Sequence, residues 1–210
     1  MNHSVIIPTM WKSKKIIKML SIYEKSPHIK EIIIIDNDTS ASFNLVSSKI
    51  RHIRQSKNIY VNASWNLGAS LANYDIIIAN DDVVIDRLDE LIIKISKTDY
   101  DIVGPDFKST RKEGVINIKP IDKFSANSYG SFMFVRKYTH IPEYLKIWYG
   151  DNILFKNSKK RGIFSGIKMD MGVSETIKTD KKFSNLIEQD RRLFCEKYKK
   201  VPYIPRNKRK

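Results

Sequence analysis

The apolar residues of this chain fall into two alternating rhythms. SVIIP (4–8), EIIIID (31–36) and YDIIIA (74–79) are short runs dominated by β-branched residues and closed by proline or polar signals. Such runs predict strands buried on both faces. Between them, KSKKIIKMLSIYEKS carries apolar residues at 16, 17, 19, 20 and 23, close to helical spacing, and Pro27 stops it. SFNLVSSKI predicts a short helix and RHIRQ a third strand. ASWNLGASLA (63–72) predicts a helix, with Asn62 as its candidate N-cap. DRLDELIIKISK (86–97) reads as an amphipathic helix and YDIVGP (100–105) as a further strand.

This alternation implies an α/β fold with a mostly parallel sheet flanked by helices. Ligands of such sheets sit outside the carboxyl ends of the strands. The predicted strands end there in polar groups: Thr9, then Asp36-Asn37-Asp38, then Asn80-Asp81-Asp82. The last set lies inside DIIIANDDVVID, where two adjacent carboxylates interrupt an apolar run. Buried carboxylates are costly without a partner. At the mouth of a crevice that partner is a hard divalent cation, Mn²⁺ or Mg²⁺, held by one or two carboxylates and phosphate oxygens. The competing reading is that one aspartate caps the following helix.

The second half is less regular. GVINIKPI (114–121) and GSFMFVRK (130–137) predict strands, and residues 141–162 carry helical stretches around a Gly-Asp break. SGIKMDMG (165–172) predicts an edge strand, FSNLIEQDRRLFCEKY (183–198) an amphipathic helix, and VPYIPRNKRK a tail. No internal repeat or long linker divides the 210 residues, so a single domain, 1–210, is expected.

Composition narrows the class. At 41% hydrophobic the chain can bury a core, yet no run approaches the ~20 apolar residues of a membrane span. MNHSVIIPTM lacks the pattern of a secretory signal. Cys195 is the only cysteine, which excludes an internal disulfide and suits a reducing compartment, so a cytoplasmic protein is expected. The net charge of +15 points to a polyanionic partner or to a compositional bias toward lysine. Its concentrations are KSKK (12–15), KNSKKR (156–161) and the basic C-terminal stretch.

SVIIPTM, IIIIDND, NASWNLGASLANYDIIIANDDV, YGSFMFVRK and WYGDNILF, in that order over residues 4–155, resemble the family 2 glycosyltransferases of the GT-A fold. The resemblance implies a GT-A-like, Rossmann-type sheet. It implies a nucleotide-sugar-binding half (1–105), an acceptor-side half (106–200) and a basic tail (201–210). Pro8, Thr9, Asp36 and Asp38 would hold the nucleotide, with Asn66 and Gly68 on the same side. The metal motif falls on Asn80-Asp81-Asp82, similar to the Asn-Asp-Asp-Val variant of some members. Asp82 is then the metal ligand, and Asp81 belongs to the cofactor site. A UDP-sugar is the default donor. An inverting transfer needs a carboxylate base for the acceptor hydroxyl, and the matching residue is Asp151. Gly150 precedes it where the family has an acid, and capping of the following helix is a compatible role. The family's late histidine has no counterpart, because none of His3, His28, His52 and His140 lies near 166–176. Asp170 is the oxygen ligand that could replace it. Trp148, beside Asp151, is the candidate ring contact for sugar or base.

The acceptor stays open among three classes: a hydroxymethylated DNA base, as in viral DNA-modifying enzymes, a glycan, and a lipid-linked saccharide. The basic balance favours DNA, although an anionic membrane surface would attract the same lysines. A nucleotidyltransferase and a non-catalytic nucleic-acid-binding module are the alternatives outside this class.

Overall fold

The computed structural model describes residues 1–38, 40, 47–106, 113–121, 130, 132–171 and 181–199. β1 (His3–Thr9) is flanked in parallel by β2 (Ile29–Asp36) and β4 (Asp75–Ala79), with Ile6 opposite both Ile33 and Ile78. β3 (Ile50–Arg54) pairs in parallel with the outer side of β2. β8 (Phe132–Val135) runs antiparallel to both β4 and β6 (Ile102–Pro105). β9 (Arg161–Ser165) is parallel to β6, and β7 (Asn117–Pro120) closes the sheet antiparallel to β9. The eight-stranded order is β3-β2-β1-β4-β8-β6-β9-β7. β8, from the later half of the chain, is thus inserted between two strands of the earlier half. A second ladder pairs β10 (Asp170–Met171) with β5 (Val83–Val84).

The two-residue period of the strands decides which helices cover which face. Val5, Ile7, Ile32 and Ile34 pack with α1 (Ile16–Lys25) and α3 (Leu88–Ser96). Ile6, Ile33 and Ile35 pack with α2 (Tyr60–Leu71), α4 (Gly150–Asn157) and, through Phe194, α5 (Lys181–Phe194). β2 is buried at every position except Lys30, as its apolar run predicts. No helix among the described residues is long and apolar enough to cross a membrane.

Several expected elements are redrawn. α2 starts at Tyr60, so Asn62 lies within it and is not its cap; Asn58 Oδ1 instead accepts the Tyr60 N–H at 2.8 Å. Residues 141–149 form turns, and the helix begins only at Gly150. Helical character expected up to 162 gives way to β9, whose alternating buried Gly162 and Phe164 follow a strand period. The core of the predicted 42–50 helix and the 201–210 tail lie outside the described residues.

The edge of the sheet away from the strand carboxyl ends is held by a saturated carboxylate. Glu31 accepts Ser4 Oγ at 2.6 Å, Arg51 at 2.5 Å, and both the backbone N–H and Nδ2 of Asn73. Burial pushes its carboxyl up, but these donors win and hold it below the usual range.

His3 on the same edge is buried, and neither ring nitrogen has a hydrogen-bonding partner among the described residues. Burial lowers its pKa, with Asp75 only partly opposing the shift. A histidine depressed in the folded state withdraws stability as pH falls below its unfolded value, ~6.5. Urea midpoints at pH 7.5 and 5.5 should therefore separate less in His3→Leu than in the parent chain; equal separation in both would refute this.

Candidate active site

The chain runs from β1 outward to β2 and β3, then returns to β4 on the other side of β1. The crevice of such a sheet opens where the order reverses, at the carboxyl ends of β1 and its neighbours. Thr9 ends β1 and is paired in register with Asp36, the end of β2. Thr9 Oγ1 donates to Asp81 Oδ2 at 2.7 Å and accepts the Trp11 N–H at 2.8 Å. Trp11 turns the chain away with φ of 57°.

Asp81 and Asp82 follow β4 after the single residue Asn80. Burial pushes the Asp81 carboxyl up to about 6, aided by the charge of Asp82 and opposed by the Thr9 hydroxyl. Burial also raises Asp82, against the nearby Lys15 ammonium. Neither carboxylate caps α3, whose N-cap position is Arg87 and has no side-chain cap. Whereas Glu31 is saturated with donors, this pair is short of positive charge. Among the described residues no group of three or more His, Cys, Asp or Glu could hold a metal alone. Two adjacent carboxylates are the kind of donor a hard divalent cation takes when phosphate oxygens supply the rest of its shell.

Asp170 is on β10, opposite Val84, and therefore close along the ladder to Asp82. It is largely exposed and ion-paired with Lys15, which holds its carboxyl below the usual range. Lys15 thus stands beside both expected oxygen ligands.

A direct expectation follows for Asp81. Its folded-state pKa lies above its unfolded value, so the fold loses stability as pH rises from the unfolded value of ~3.9, and the loss is complete above about 6. Without divalent cations, Asp81→Asn should raise stability by roughly 1–2 kcal/mol at pH 7.5, after solvent screening, and hardly at all at about pH 3, below both pKa values. Thermal unfolding at the two pH values checks this.

At the far end of the crevice, Asp36 is fully buried. Its Oδ1 accepts the Asp38 N–H at 2.9 Å, and its Oδ2 faces His52 Nε2 at 2.8 Å. The Trp11 ring meets His52 edge-on, with centroids 5.8 Å apart. Asp38 Oδ1 accepts both Ser40 N and Oγ. Pro8 is buried in β1, opposite Ile35. His52 and Asn37 were not among the expected site residues. Asn37 Oδ1 accepts the Ile59 N–H and its Nδ2 donates to Ser64 Oγ, tying the strand end to the start of α2. The available signal for His52 was parity: it lies two residues before Arg54, the in-register partner of Asp36.

Asn66 and Gly68 have packing roles. Asn66 Nδ2 donates to Ile141 O, while its Oδ1 accepts Ile141 N and Tyr138 Oη, each within 2.9 Å. A Cβ on Gly68 would lie 2.3 Å from Ile6 Cγ2, so glycine is what lets α2 seat on β1.

Asp151 is the second residue of α4 and is buried. It is not the N-cap, a position held by Tyr149 at φ of 66° without a side-chain cap bond. In the first turn its charge is favoured by the helix dipole. Gly130 lies beside it: a Cβ there would be in ordinary contact with Asp151 Oδ2 at 3.5 Å and the Trp65 ring at 3.4 Å. The ring of Trp148 meets Tyr149 edge-on at 6.2 Å.

KNSKKR (156–161) leads into the start of β9. Because β9 and β6 run parallel to β4, this cluster lies on the sheet edge opposite the crevice. Lys160 there is paired with Asp99. KSKK (12–15) follows β1 on the crevice side, with Lys12 and Lys14 exposed.

Among protein-family models, that described as Glycosyl transferase family 2 matches residues 4–165. No curated protein matches the chain. Among solved structures, the crystal structure of GalNAc-T7 with UDP, GalNAc and Mn²⁺ is similar, with a TM-score of 0.58 at 13% identity. The alignment covers 90% of this chain and 48% of that one, so the chain spans about half the length of this relative. At that identity the likeness speaks for the fold, a mixed α/β architecture of the GT-A type. The family match takes in β1 to β9, the crevice and the Asp151 helix, and the chain belongs to glycosyl transferase family 2.

Proposed function

We propose that the protein is a metal-dependent, inverting glycosyltransferase. It moves a sugar from a nucleotide-sugar donor, a UDP-sugar by default, to a hydroxyl acceptor. The observation that carries this is the undercharged Asp81–Asp82 pair beside Thr9 at the reversal point of a family 2 sheet. Asp82, with Asp81 next to it, would hold Mn²⁺ or Mg²⁺ together with the donor diphosphate. When bound, the cation would offset the negative charge of the departing diphosphate. Asp170 would join only by leaving Lys15. The Asp36–His52–Trp11 end of the crevice, with Pro8 and Asp38, would take the nucleoside.

Asp151 acts as the general base. The acceptor oxygen attacks the anomeric carbon as its proton passes to the Asp151 carboxylate. The bond from that carbon to the diphosphate oxygen breaks, and the nucleoside diphosphate departs. The anomeric centre is inverted because one displacement has occurred.

The favoured acceptor is a hydroxymethylated base in DNA. The net charge of +15 and the exposed Lys12 and Lys14 at the crevice edge support a polyanion there. The test is incubation of hydroxymethylcytosine-containing DNA with the protein, Mn²⁺ and a panel of nucleotide sugars, followed by mass spectrometry of the nucleosides. One added sugar mass on the modified base establishes donor and acceptor together. Release of nucleoside diphosphate with unmodified DNA keeps the transferase and removes DNA as its acceptor.

A further inference from the structure

We infer that α5, which lies beyond the family-matched residues 4–165, is a positioning element for the reaction, and that its Asp190 carboxylate fixes the loop that aims Asp151. The inference rests on the reading of Asp151 as the general base.

Asp190 is 1% exposed. One of its oxygens accepts the backbone N–H of Lys146 at 2.9 Å, and the other accepts those of Ile147 at 2.7 Å and Trp148 at 2.9 Å. A buried loop must find hydrogen-bond partners for its backbone N–H groups. Three consecutive backbone donors converging on one buried carboxylate do more, because they set the orientation of the peptide planes as well as their depth. Charge-assisted bonds of this kind are stronger than neutral ones. The next residue, Tyr149, takes the left-handed conformation that turns the chain into α4, and its ring stacks on Phe194 of α5 at 4.3 Å and 10°.

The loop is gripped from the other side by α2. Asn62 Nδ2 donates to Leu145 O and Trp148 O, both at 3.1 Å. A Cβ on Gly150 would fall 2.2 Å from Asn62 Oδ1, so this residue must be glycine for the two helices to close on the loop. Asp151 follows immediately. Its direction is therefore set by a clamp whose jaws are Asn62 and Asp190. A base displaced by about 1 Å loses on the order of 100-fold in rate. Asp190 is on this account a positioning residue, acting through the backbone at 146–150 without touching substrate.

The test uses the full chain as wild type, Asp190→Asn, Asp190→Glu and Asp151→Asn. Two readouts are taken: backbone hydrogen exchange at 146–148, and release of UDP from a UDP-sugar with Mn²⁺, water serving as acceptor. Asp190→Asn should exchange at least tenfold faster at 146–148 with the sheet still protected. It should lower kcat at least tenfold with the donor KM unchanged. Asp190→Glu keeps the charge and should recover part of both; it also supplies the comparison if Asp190→Asn does not fold. Full kcat in a folded Asp190 variant with an opened loop, alongside a slow Asp151→Asn, overturns this inference alone. Full kcat in Asp151→Asn overturns the base reading and this inference with it.

Discussion

Asp82→Asn should abolish Mn²⁺-stimulated donor binding and reduce sugar transfer by roughly 10³-fold, about 4 kcal/mol of lost stabilisation. The amide keeps the size of the side chain but removes the charge that a hard cation requires. Asp170, the other expected oxygen ligand, is already engaged by Lys15. Isothermal calorimetry of UDP with and without Mn²⁺ gives a readout separate from catalysis. Wild-type protein should bind UDP at least tenfold more tightly with Mn²⁺, and the variant should show no such difference. A variant that kept the Mn²⁺ effect would move the cation away from this strand end. Asp81→Asn should also weaken the Mn²⁺ effect while making the metal-free protein more stable. That opposition marks a site in which two carboxylates are held together for function at the expense of the fold.

The second large effect is at Asp151. Asp151→Asn should lower transfer by 10²- to 10⁴-fold, the span expected for loss of a general base, while UDP affinity with Mn²⁺ stays within about twofold of wild type. The two substitutions thus fail differently. One loses donor binding and rate together; the other binds donor normally and stalls. A steady-state comparison of kcat and donor KM separates them. Asp151→Asn at wild-type rate would leave α4 a structural helix and place the base elsewhere.

The parallel core was legible in the sequence because strands buried on both faces leave an unmistakable apolar run, and SVIIP, EIIIID and YDIIIA are such runs. Their polar ends were legible for the same reason: where an apolar run stops, the chain has reached the sheet edge. β9 was not legible, because Arg161–Ser165 is half-buried and follows directly on a helical pattern. The start of α2 was misplaced because Asn62 looks like a cap by residue type. Its amide is instead used across 83 residues of sequence, on Leu145, and no local pattern carries such a contact. His52 escaped notice because its partner Asp36 is on the neighbouring strand. Asp190 escaped notice because, in the sequence, it is one more acidic residue on a charged helix. The positive clusters were legible as charge but not as position: KNSKKR falls in the half expected on the acceptor side, yet it sits on the sheet edge away from the crevice.

The insertion of β8 between β4 and β6 sets the order in which the molecule can be completed during synthesis. When residue 105 leaves the ribosome, β1 to β4 can already pair, but β6 has no place to dock, because its neighbour on that side is still some thirty residues away in the chain. Until Phe132–Val135 arrives, the inner side of β4 is an open strand edge, apolar on both faces. Such edges recruit other strands. The nascent chain therefore passes through an interval of self-association risk that ends only when β8 is laid down, and a pause in translation while residue 105 is outside the ribosome and Phe132–Val135 still inside would lengthen it.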